Sequence, residues 1–80
     1  MSIEAVTAQD IDATGLTCPE PVMLLHAAIR QLSAGQCVRL RATDPSTERD
    51  VGNFCRFLGH RLLQADREGG QFIYLIEKQC

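Results

Sequence analysis

Gly15-Leu16-Thr17-Cys18-Pro19-Glu20-Pro21-Val22-Met23-Leu24-Leu25-His26-Ala27-Ala28-Ile29-Arg30-Gln31-Leu32-Ser33 joins a thiol to an amphipathic segment. Two prolines within three residues of a cysteine fit the start of a helix, where first-turn N–H groups have no intrahelical acceptor, and clash almost anywhere else in one. Cys18 is thereby placed near an N-cap. From Pro19 to Ser33 the residues Val22, Leu25, Ile29 and Leu32 recur at steps of three and four, one face of a helix, and Gly35 supplies the stop. Backbone dipoles make the leading end of a helix electropositive and favour thiolate over thiol. Glu20 opposes this, and Pro19 and Pro21 remove N–H donors. The expectation is a Cys18 pKa modestly below the free value of about 8.5.

Outward from this segment the periodicities define the remaining elements. Residues 1–8 read as a flexible tail, and Gln9 to Ala13 as a short edge strand with Ile11 and Ala13 inward. Gln36 to Ala42 alternates, with Val38, Leu40 and Ala42 on one face and Cys37, Arg39 and Arg41 on a solvated one. Asp44-Pro45-Ser46-Thr47 is dense in capping residues, and Val51, Phe54, Cys55 and Leu58 then follow a helical stripe closed by Gly59. His60 to Glu68 and Gln71 to Lys78 read as strands around Gly69-Gly70, a pair suited to positive φ. The order β-α-β-α-β-β predicts an α/β two-layer sandwich. Right-handed crossovers place both helices on one face of a mixed four-stranded sheet.

Eighty residues form one domain, 1–80, near the lower limit for a core without staples. Eight basic against ten acidic residues give a net charge of -2, which argues against tight direct nucleic-acid binding. No stretch reaches the roughly 18 apolar residues of a membrane span, and the N-terminus lacks a basic region followed by an apolar one, so a soluble, cytoplasmic protein is expected. Cys18, Cys37, Cys55 and Cys80 contain no Cys-x-x-Cys pair, and His26 and His60 lack zinc-finger spacing. Neither a metal site, nor a disulfide framework, nor a cofactor is expected.

Each candidate has an unremarkable alternative. Cys55, on the apolar stripe of its helix, is a buried small hydrophobe. Cys37 and Cys80 read as incidental exposed thiols. His26 lies off the stripe and is solvated by default, while His60 follows a helix stop as a helix-end cation, so neither is assigned as the base of a cysteine hydrolase. Met23 and Leu24 flank the stripe; core packing is the simpler reading, partner docking beside a thiol the sharper one. Arg39, Arg41, Arg49 and Arg56 have no evident internal role and are candidates for docking acidic partner surfaces, with plain solubility as the alternative.

Asp12-Ala13-Thr14-Gly15-Leu16-Thr17-Cys18-Pro19-Glu20-Pro21-Val22-Met23 resembles the signature of the TusA/SirA family of small sulfur carriers. The likeness extends over about residues 10 to 78. It includes Gly35 after the first helix, Asp44-Pro45-Ser46-Thr47-Glu48-Arg49-Asp50 before the second, and Phe54-Cys55-Arg56-Phe57-Leu58-Gly59-His60 and Tyr74-Leu75-Ile76, which are similar to the TusA branch. The resemblance implies a persulfide on Cys18, with Gly15, Pro19, Glu20 and Pro21 shaping its loop for docking. It implies sulfur arriving from a cysteine desulfurase and leaving to a downstream relay protein, for 2-thiolation of wobble uridine in tRNA, without metal or organic cofactor. Cys37 and Cys80 depart from the usual pattern. Relatives of the fold serve other sulfur, selenium or molybdenum-cofactor pathways. A competing function of another class is a non-catalytic interaction or regulatory module in which Cys18 only terminates a helix.

Overall fold

The alternation in Gln71–Glu77 decides how the layers stack: Phe72, Tyr74 and Ile76 are buried, and Ile73 and Leu75 between them are half-buried on the other face. The computed structural model describes residues 7–79, so the expectations for residues 1–6 and for Cys80 lie outside it. Strand β1 (Thr7–Ala13) pairs in parallel with β2 (Cys37–Ala42). β2 pairs antiparallel with β4 (Gln71–Glu77), and β4 antiparallel with β3 (Arg61–Glu68), giving the order β1-β2-β4-β3. β1 is the expected edge strand and begins at Thr7, so two residues assigned to the tail belong to it.

Helix α1 (Glu20–Arg30) contacts β1 and β2; helix α2 (Thr47–Leu58) contacts β3 and β4. Leu25, Ala28 and Ile29 from α1 and Val51, Phe54 and Cys55 from α2 meet Val38, Leu40, Ala42, Phe72, Tyr74 and Ile76 in one cluster, the two-layer sandwich predicted from the sequence. The stripes coalesce because each element has one apolar face and only the opposing layer can remove it from water. Inside this core the Thr47 hydroxyl donates to the Asp44 carbonyl at 2.7 Å and takes a hydrogen bond of 2.8 Å from Tyr74. That chain ties the start of α2 to the sheet.

Three expectations change. Gly35 does not end α1: the helix stops at Arg30 with a tightened turn, Gln31 N–H to Ala28 O and Leu32 N–H to Ile29 O. Gly35, at φ 92°, instead turns the chain into β2 and donates to Lys78 O at 2.7 Å. Cys37 is not on the solvated surface but fully buried. β2 is an interior strand with neighbours on both sides, and a short thiol beside Glu77 is overshadowed where Arg39 and Arg41 reach past their neighbours. Burial and the charge of Glu77 push the Cys37 thiol pKa up. Met23 and Leu24, 61% and 40% exposed, are outside the core.

Gly59, at φ 78°, caps α2 as predicted. Gly69 and Gly70 both take positive φ in the β3–β4 turn. All eight residues of β3 are exposed, and its register with β4 breaks between Leu62 and Gln64.

Cys55 is buried, as its position on the stripe requires, and burial pushes its thiol pKa up to about 11. Cys55→Ser is expected to cost about 1–3 kcal/mol by placing a hydroxyl among apolar neighbours. Chemical denaturation reads this directly; an unchanged midpoint would contradict the packing described.

Candidate functional site

Two chain turns meet at Cys18. The first leaves β1 through an Asx turn, in which Asp12 Oδ1 accepts from the Thr14 N–H at 3.0 Å and the Thr14 hydroxyl at 2.6 Å. Gly15 follows at φ 82°, a conformation that a side chain would strain. Its N–H donates to Thr43 Oγ1 at 2.8 Å, fastening this turn to the loop after β2. The second turn belongs to that loop. One carboxylate oxygen of Asp44 accepts the Cys18 N–H at 2.7 Å, and the other accepts the Ser46 N–H at 3.0 Å. Asp44 therefore clamps the segment bearing Cys18 to the start of α2, and these two donated bonds hold its own pKa below the ordinary carboxylate value.

Cys18 precedes Pro19, the N-cap residue of α1, through a cis peptide bond, and it is exposed. Pro21 is buried in the first turn. Glu20 opens the helix, and its N–H is occupied by Thr17 O at 2.9 Å.

The electrostatics reverse the expectation from the helix dipole. Hydrogen bonding toward the Asp50 carboxylate, desolvation of the thiol and the Asp50 charge raise the Cys18 pKa, in that order, and the Asp44 charge adds to the effect. The Ser46 hydroxyl acts in the opposite sense. The dipole loses because its donors are spent: Cys18 N–H on Asp44, Glu20 N–H on Thr17, and two prolines with none. Two acidic side chains, Asp50 of α2 and Asp44 of its leading loop, act on the thiol instead. The opposing negative charge thus comes from Asp50 and Asp44 rather than Glu20. Asp50 in turn is lowered below its usual value, first by the Cys18 S–H and then by Arg49, whose Nε lies 3.3 Å from Oδ1.

The thiol opens on a groove of about 710 Å³ between the start of α1 and the outer side of α2, lined with Val22, Asp50, Arg56, Phe57 and Leu58. Phe57 is 90% exposed, an aromatic ring left in water beside a thiol. It is one of the site residues that the sequence pattern does not single out, although a large aromatic off the Val51-Phe54-Cys55-Leu58 stripe is a legible signal. Arg56 and Arg49 lie on this side of the molecule. Arg39 and Arg41 stand on the opposite sheet face around a small hollow with Gln64, Ile73 and Leu75, and Arg39 is 3.7 Å from Asp10. The four arginines are therefore not one patch.

Neither histidine lines the groove. His26 contacts the Phe54 ring edge-on at 5.8 Å, and His60 lies tilted against the same ring at 6.0 Å. His60 is not a helix-end cation: Nδ1 accepts the Gln79 N–H at 3.2 Å, and burial, with Lys78 and His26 nearby, lowers its pKa and keeps the ring neutral. Among the described residues no three His, Cys, Asp or Glu side chains are gathered for a metal ion, and no helix is long and apolar enough to cross a membrane. Cys18, Cys37 and Cys55 are free thiols.

A family model described as Sulfurtransferase TusA matches residues 9–78. The chain is 56% identical over 70 residues to the sulfur carrier protein TusA of Pseudomonas putida (strain W619), with 88% of each protein covered. It is 49% identical over 79 residues to the sulfur carrier protein TusA of Pseudomonas aeruginosa (strain LESB58), covering 99% of this chain and 95% of the relative. Among solved structures, a SirA-like protein from Desulfitobacterium hafniense superposes with a TM-score of 0.81 at 21% identity, over 91% of this chain and 100% of the other. That likeness establishes the fold.

Proposed function

The chain belongs to the TusA family of sulfur carriers, and from that premise we propose that Cys18 carries the sulfur as a persulfide. A cysteine desulfurase supplies it, and a downstream relay protein takes it onward in the cytoplasm toward 2-thiolation of wobble uridine in tRNA. The observation that carries this reading is the placement of Cys18 as an exposed thiol at the rim of an open apolar groove. Sulfur relay by thiol exchange requires each sulfur to reach the next directly, and needs no metal or organic cofactor. Buried Cys37 and Cys55 offer no such access.

The partner covers the thiol, so its contact surface is the face that holds the groove. Phe57 supplies an aromatic anchor of the kind that dominates protein interfaces, and Arg56 and Arg49 supply charge beside it. Arg39 and Arg41, across the sheet, stay outside that contact. Gly15, Pro19, Glu20 and Pro21 hold the loop in the shape the partner meets.

Incubation with a cysteine desulfurase and cysteine is expected to add the mass of one sulfur atom to the intact protein, on the peptide containing Cys18. An unchanged mass would return the chain to the class of binding modules. Arg56→Glu is expected to raise the half-saturating carrier concentration in desulfurase-driven loading about five-fold, more at low salt, because a rim charge acts mainly on encounter. The double variant Arg39→Glu/Arg41→Glu is the control, and an equal effect there would place the dock on the open sheet face.

A further inference from the structure

Ser46 occupies the N-cap of α2 yet makes no capping hydrogen bond. Serine at this position normally accepts from an N–H one turn into the helix, so an idle side chain calls for another partner. Its Oγ is buried and, among the described residues, forms no hydrogen bond of ordinary geometry. The Asp44 clamp fixes where that hydroxyl stands, since the same carboxylate grips the backbone N–H groups of Cys18 and Ser46. Asp50 faces the same sulfur from the first turn of α2, its own N–H bonded to Ser46 O at 2.9 Å.

We propose that Asp50 and Ser46 divide the states of the Cys18 sulfur between them: the Asp50 carboxylate accepts the S–H of the unloaded thiol, and the Ser46 hydroxyl donates to the sulfur when it becomes negatively charged during transfer. The inference rests on the carrier role of Cys18 and assigns that role two positioning residues. The opposite senses in which the two side chains shift the thiol's acidity agree with it. The missing hydrogen bond of Ser46 follows as well, because a neutral thiol is a weak acceptor and an anionic sulfur a strong one. The charged groups around the sulfur are Asp44 in the β2–α2 loop, Asp50 with its partner Arg49 and the groove residue Arg56 on α2, and Glu20 on α1. Beside these charged groups Ser46 offers a neutral O–H donor, buried and without a partner among the described residues.

In loading, the Cys18 S–H bond breaks and its proton passes by way of Asp50 to the departing donor sulfur. The sulfur lone pair of Cys18 forms a bond to the terminal sulfur of the donor protein's persulfide. The donor's S–S bond breaks, its electron pair stays on the donor cysteine, and that cysteine leaves as a thiol. The transferred atom keeps its oxidation level, so no external oxidant or reductant enters.

The test is the pH profile of iodoacetamide alkylation at Cys18 in the full chain, resolved by peptide mass spectrometry, beside the single-turnover rate of loading from a persulfidated desulfurase. Asp50→Asn is expected to raise alkylation at pH 7 about tenfold, one unit of midpoint, while slowing loading. Ser46→Ala is expected to shift the midpoint upward and slow both reactions about threefold, a charge-assisted hydrogen bond at an accessible site, with Ser46→Thr restoring both. A purely structural role would move both rates together in Asp50→Asn. That result, or an unchanged profile in both Asp50→Asn and Ser46→Ala, overturns the inference. Alkylation requires no sulfur donor, so absence of loading in the unmodified protein would defeat the carrier role without bearing on this profile.

Discussion

Cys18→Ser is expected to lose sulfur loading completely while melting within a degree or two of the unmodified chain. A hydroxyl is a far weaker nucleophile than a thiol near neutral pH and forms no stable bond to sulfane sulfur, so the loss is one of chemistry. The fold survives because the side chain is exposed and makes no core contact. Serine can also donate to Asp50 in place of the S–H. Intact-mass measurement after incubation with desulfurase and cysteine checks the first half, and a thermal melt the second. A fully loaded serine variant would move the site to another cysteine, of which Cys37 and Cys55 lie under the surface.

Leu25→Ala is expected to produce the largest loss of stability, about 3 kcal/mol, from the cavity left by a fully buried side chain. For a domain of this size that lowers the melting temperature by on the order of 15 °C. The position matters because α1 is short and is held to the sheet chiefly by Leu25, Ala28 and Ile29, with Pro21 buried in its first turn. Loosening this seat detaches the first turn from the sheet, whereas Asp44 and Thr43 continue to hold Cys18 and Gly15 from the other side. Chemical denaturation measures the loss; a change below about 1 kcal/mol would mean that the helix repacks around the cavity.

The contrast between those two residues explains what the sequence made legible. Leu25 and the rest of its stripe announce themselves by spacing, because burial on one face of a regular element leaves a period. The alternation of Val38, Leu40 and Ala42 did the same for β2, and the paired glycines for the last hairpin. Cys18 was legible through its prolines. Asp44, Ser46 and Asp50 were not, since what they do depends on the β2–α2 loop meeting the β1–α1 loop, a contact over 26 residues of chain for Cys18 and Asp44. No local pattern encodes the sign of a charge arriving from another loop, and for that reason the helix dipole, legible from the sequence, is outdone by two carboxylates that are not. Cys37 failed for a related reason: periodicity says which face a residue is on, while burial also depends on how tall its neighbours are. Met23, Leu24 and Phe57 show the converse, apolar residues kept out of the core.

The outer strand β3 runs along a free edge, and an unpaired edge is a template on which another chain can add a strand. Here the break in register between Leu62 and Gln64 puts Leu63 outside the ladder, so an arriving strand meets amide groups out of step near the start of β3. Arg61, Asp66, Arg67 and Glu68 along the same strand would have to give up water to allow such pairing. The irregularity thus acts as a guard against open-ended strand addition along this edge.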